Sequence, residues 1–76
     1  MKFAKYDVVR ILSLSGRDFG ESDTFDSRAP QVGDIATILE IYDDPPGYEL
    51  ECSDSSGITE WLGGFRQDEV TFERVK

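Results

Sequence analysis

The chain contains no histidine. Ser–His–Asp and Cys–His catalysis need an imidazole to take up the nucleophile's proton, so both are excluded. There is one cysteine, Cys52, so no disulfide can form within the chain. Small secreted domains usually carry several bridges, so the expected setting is reducing and cytoplasmic. No run approaches the roughly 18 apolar residues of a membrane helix. The opening MKFAKYDVV has two lysines but lacks the apolar stretch of a signal peptide, so none is expected. Positive charge is scarce: eight Lys and Arg face sixteen Asp and Glu, a formal charge of −8. That field repels nucleic-acid phosphates and anionic membranes, and it speeds the encounter with a basic protein at low salt. The same charge also keeps a small protein soluble. Glycine-rich phosphate loops and Cys/His zinc spacings are both missing.

What remains is a single domain of 76 residues, 38% hydrophobic and 12% aromatic, a globular composition. A chain this short buries only about 60% of its unfolded surface, which leaves little room for a deep enclosed site. Residues 6–12, YDVVRIL, are rich in β-branched types and read as a first strand. Residues 13–32 follow as a long polar loop with Gly16, Gly20 and Pro30. Loops of this length are uncommon and usually functional. Residues 34–43, DIATILEIYD, are the strongest strand signal, with Ile35, Thr37, Leu39 and Ile41 on one face and Ala36, Ile38, Glu40 and Tyr42 on the other. Two largely apolar faces predict a central barrel strand. Asp44-Pro45-Pro46-Gly47 predicts a turn, with Gly47 supplying a positive φ. Residues 48–53 alternate: Tyr48, Leu50 and Cys52 in; Glu49, Glu51 and Ser53 out. A tight DSSG turn, a fourth strand over 58–62 ended by Gly63-Gly64, a 3₁₀ turn within 65–69 and a fifth strand over 70–75 complete the chain. The predicted fold is all-β: a small five-stranded SH3-like barrel, with a long loop after the first strand and closure hiding the strand edges. A five-stranded OB-type barrel is the alternative, but DSSG is too short for the helix that fold carries.

The hairpin pattern also resembles a bacterial domain-of-unknown-function family of very short proteins. The matching positions are Tyr6, Asp7, Val8 and Val9; Gly33, Asp34, Thr37 and Ile38; Glu40, Ile41, Tyr42 and Asp43; Pro46, Gly47, Tyr48, Glu49 and Glu51; then Asp54 and Gly57. The chain departs from that pattern at Ala36, where the family has glycine, in its longer first loop and over ITEWLGGFRQDEV. The resemblance implies an SH3-like fold and assigns no chemistry. Such proteins are associated with accessory or immunity-type roles.

Carboxylate pairs such as Asp43/Asp44, Glu49/Glu51 and Asp68/Glu69 abound, but acid–base catalysis needs one of a pair desolvated, and alternation sends Glu49 and Glu51 to water. The acids at 18, 21, 23 and 26 do not match calcium-loop spacing. No catalytic residue, cofactor or metal is therefore expected. Cys52 reads as a buried, inert thiol. Binding is the remaining class. Candidate partner-binding residues are Asp18, Phe19, Asp23, Phe25 and Asp26 in the long loop; Glu40, Glu49, Glu51 and Glu60, expected to share one solvent face flanked by Asp43 and Asp44; and Trp61. Trp61 reads either as an interface anchor among carboxylates or as the largest core residue. The expected function is a non-enzymatic acidic module that docks a basic protein. Its most concrete form is an immunity protein or antitoxin plugging the basic cleft of a toxin from a neighbouring gene. The alternative is an SH3-like accessory subunit of a larger complex. Monomer and homodimer both stay open.

Overall fold

The computed structural model describes residues 3–15 and 28–75. They form five antiparallel strands: β1 (Val8–Leu14), β2 (Ile35–Asp43), β3 (Pro46–Ser53), β4 (Thr59–Arg66) and β5 (Val70–Arg74). Their order in the sheet is β4-β3-β2-β1-β5, so consecutive hairpins build one wing and β5 returns to β1. This is a small SH3-like all-β architecture. The sheet is not closed: among the described residues β4 and β5 do not pair with each other, so the expected loss of both edges does not occur.

The core is made by the strand positions that alternate inward. Val9, Ile11, Ala36, Ile38, Leu50, Cys52, Trp61, Phe65, Val70 and Phe72 are buried, with Trp61 the largest of the fully buried side chains. Burying each large side chain contributes about 1.5–3 kcal/mol. Phe3 closes one end, edge-on to Phe72 at 4.6 Å, while Tyr48 meets Phe72 at 4.9 Å. Trp61 and Phe65 pack edge-to-face at 5.6 Å.

Three local readings are corrected. β1 starts two residues later than expected, because Tyr6 and Asp7 belong to a turn. Asp7 Oδ2 accepts the Ala4 amide at 2.9 Å, and Tyr6 sits at φ 73°. β4 is not ended by its glycines: Gly63 pairs with Leu50 and Gly64 with Glu49, and the strand runs on to Arg66. The reason is Phe65, which lies four residues after Trp61, points the same way and is buried. Residues 67–69 then make one tight turn, closed by the Glu69 amide donating to the Arg66 carbonyl at 2.9 Å.

The third correction concerns β2. Its register with β3 shifts between Ile38↔Leu50 and Glu40↔Glu49, leaving Leu39 as an extra residue. A bulge of this kind reverses the facing of everything after it. Ala36 and Ile38 point inward before it, and Ile41 packs on the core after it. Glu40 and Tyr42 are thereby turned outward, away from the face of Ala36 and Ile38 that strict alternation gave them. The doubly apolar pattern of DIATILEIYD reflects this switch, and Ile35 is exposed.

Candidate functional site

The outward face of β2, β3 and β4 can be read as rows across the strands. One row is Glu40–Glu49–Gly64, and the next is Tyr42–Gly47–Arg66. Glu51 sits opposite Thr37 and Leu62, one step along. Glu40 and Glu49 thus stand directly opposite each other. Like charges in that position destabilise a sheet by a few tenths of a kcal/mol or more. Lys5 Nζ lies 3.6 Å from Glu40 Oε2, an exposed ion pair, and the Tyr42 hydroxyl donates to Glu49 Oε1 at 3.3 Å. Burial, together with the charge of Glu49 and this hydrogen bond, pushes the Tyr42 phenol above its ordinary value. The Glu51 carboxylate accepts from the Thr59 hydroxyl at 2.8 Å.

Beside these rows a groove of about 390 Å³ opens at the hairpin tip. Tyr42 forms one wall, Pro45 and Pro46 a shelf, and Gly47 and Gly64 a floor without side chains. Asp44, Arg66 and Glu69 line its rim. Gly47 does not adopt the positive φ that the turn reading expects; among the described residues Gly33 and Gly57 are the glycines that adopt one. Gly47 is needed for close approach instead. A Cβ there would stand 2.5 Å from the Phe65 carbonyl oxygen.

Glu60 does not share the acidic face. The register between β3 and β4 slips after Cys52↔Trp61 to Ser53↔Thr59, so Glu60 has no partner opposite and turns toward the core's end. There it meets Arg28, whose Nη2 donates to Glu60 Oε1 at 2.8 Å. The same guanidinium grips Asp34 through two bonds, Nη1 to Oδ2 at 2.9 Å and Nη2 to Oδ1 at 3.0 Å. Asp34 Oδ2 also accepts the Trp61 indole at 2.9 Å and the Gln31 amide at 2.9 Å. Burial alone would raise the Asp34 carboxyl. The hydrogen bonds from Arg28, Gln31 and Trp61, with the charge of Arg28, outweigh it and hold the carboxyl below its usual value. Hydrogen bonds to Asp34 first and Glu60 second push Arg28 further up, so it stays a cation. Cys52 touches this cluster at 3.8 Å from Arg28 Nη2. Burial first, then the Asp34 charge, pushes its thiol up.

Of the residues singled out from sequence, Glu40, Glu49 and Glu51 come together on one face. Asp43 and Asp44 flank it at the exposed hairpin tip. Glu60 is tied into the Arg28 cluster, and Trp61 is fully buried, so its surface-anchor reading gives way to the core reading. Asp18, Phe19, Asp23, Phe25 and Asp26 lie outside the described residues. Sequence reasoning missed the Arg28–Asp34–Glu60 cluster because Glu60 lies 32 residues from Arg28 and reaches it only beside the β3–β4 slip. It also missed the glycine floor, because Gly47 reads as part of a turn and Gly64 as a strand end, whereas both lie within strands. Among the described residues no three metal-ligating side chains converge, and no helix is long and apolar enough to cross a membrane. No family model, curated protein or solved structure matches the chain.

Proposed function

We propose that this chain is a non-catalytic protein-binding module that receives a basic protein on its acidic sheet face. The single observation that carries the reading is the opposed pair Glu40 and Glu49, turned outward by the bulge at Leu39. A sheet that keeps like charges face to face gives up stability which a cationic partner would return on binding. Glu51, Asp43, Asp44 and the −8 net charge extend the same sign around the pair. None of the carboxylates of this face is buried, whereas acid–base chemistry needs one that is desolvated. A toxin with a basic substrate cleft, encoded beside this chain, is one partner of the required chemistry.

The test is binding to the product of the adjacent reading frame, at low and high salt, with Glu40→Gln/Glu49→Gln alongside. The expected result is salt-sensitive association weakened in the double variant. That variant should be slightly more stable than the parent, by about 0.2–1 kcal/mol, because the repulsion is gone. Undiminished binding by a variant that is also no more stable would overturn the proposal.

A further inference from the structure

The acidic face has a shape as well as a sign. At the hairpin tip the cross-strand rows place Gly47 and Gly64 diagonally on the outward side; Gly47 lets the Phe65 carbonyl approach closely, and Gly64 leaves open the space a side chain would fill. The gap is the groove walled by Tyr42 and shelved by Pro45 and Pro46. A second groove of about 560 Å³ shares Pro45, Pro46 and Arg66 and continues to Gln67 and Asp68. Tyr42 stands 46% exposed, so its ring is open to a ligand in the groove. Its hydroxyl is held by Glu49 at 3.3 Å, which fixes the ring as a wall and brings a carboxylate to its end.

The chemistry of the lining selects the occupant. Tyrosine and two prolines offer apolar contact along the length of the groove. Asp44 and Glu69 line it, Glu49 adjoins it, and Arg66 is the one cation among the lining residues. A long side chain with an aliphatic stem and a positive head matches that combination. The stem covers apolar surface while the head reaches carboxylates, and a cation over a tyrosine face gains further attraction. We propose that this groove docks an extended segment of a protein partner through an arginine or lysine side chain, laid along Tyr42 and the Pro45–Pro46 shelf with its head toward Glu49 beside Gly64. The inference rests on the reading of the chain as an acidic binding module, and it names where on the module the partner's cation is held.

The two fall to different results. The experiment is a ¹⁵N–¹H NMR titration of the whole chain with a capped seven-residue peptide carrying a central arginine, and with its lysine and glutamate counterparts. The cationic peptides are expected to shift the amides of Tyr42, Gly47, Gly64 and Arg66, and the glutamate peptide to leave them in place. Gly64→Val should abolish those shifts. A Cβ at Gly64 meets only the flexible Glu49 Oε1, at 3.4 Å, so the variant keeps the strand while filling the floor. Tyr42→Ser, which does not depend on how that valine packs, should weaken the cationic peptides about threefold or more. Arg66→Gln should tighten them by about twofold to fivefold, since it removes a repelling charge at an exposed site. Shifts confined to the row of Thr37, Glu51 and Leu62 and unchanged by Gly64→Val would overturn the groove but leave the acidic-face reading standing. Shifts of the groove amides by the glutamate peptide, or weaker cation binding in Arg66→Gln, would overturn the assigned sign. Silence from all three peptides would overturn the groove as a docking site. An empty binding experiment with the neighbouring gene product would then remove the reading beneath it.

Discussion

Asp34 ties Arg28, the Gln31 backbone and the buried Trp61 together through one carboxylate. Its carboxylate accepts four hydrogen bonds, two from Arg28, one from the Gln31 amide and one from the Trp61 indole. Trp61 has no solvent exposure, so Asp34→Ala leaves the indole N–H without its Asp34 acceptor in the core. Taking the acceptor from a buried donor costs about 1–3 kcal/mol. Arg28 is 33% exposed and keeps Glu60, so water and that second carboxylate offset much of its loss. The expected cost is about 2–3 kcal/mol. For 76 residues total stability is roughly 4–11 kcal/mol, so this is a large share. Urea unfolding followed by far-UV circular dichroism should show a lower midpoint with an unchanged slope. Trp61→Phe removes the indole donor while keeping an aromatic ring. In that background Asp34→Ala should cost at least about 1 kcal/mol less, the signature of two residues in direct contact. The pH dependence follows from the depressed carboxyl. Asp34's contribution is complete above the ordinary value of 3.8 and is lost as pH falls through the lower folded value. Wild type should therefore lose part of its advantage over Asp34→Asn only in that acid range. An Asp34→Ala cost under about 0.5 kcal/mol, or strictly additive costs with Trp61→Phe, would refute the reasoning.

Two further outcomes follow from the same packing. Gly47→Ala forces a Cβ to within 2.5 Å of the Phe65 carbonyl, and backbone cannot swing aside as a side chain can. A loss of about 1–3 kcal/mol is expected in thermal or urea unfolding, and an unchanged midpoint would contradict the close approach. Cys52 is 4% exposed with its thiol pushed up by burial. It should react with a thiol reagent at mildly alkaline pH only at the rate of unfolding, and fast labelling of the folded chain would show the site to be open.

The legible part of this protein was set by local signals. Alternation in YELECS put Leu50 and Cys52 inside and Glu49 and Glu51 outside, and the structure agrees. DDPPGY and DSSG fixed two of the hairpin turns, and the number and order of strands followed from them. These features are readable because strand facing and turn chemistry depend on near neighbours in the chain.

What the sequence by itself determined, then, is an acidic all-β chain with its hairpins in place and no imidazole for catalysis. Tertiary structure decided which other acids join Glu49 and Glu51 on the wet face. The bulge at Leu39 turned Glu40 out to oppose Glu49, and the slip beside Glu60 took that residue away to Arg28. Bulges depend on how Ile38, Ile41, Trp61 and Phe65 share one core, and that packing brings together residues far apart in sequence. The groove has the same origin. Gly47 and Gly64 become one floor only when β3 and β4 pair in the register that their buried neighbours require.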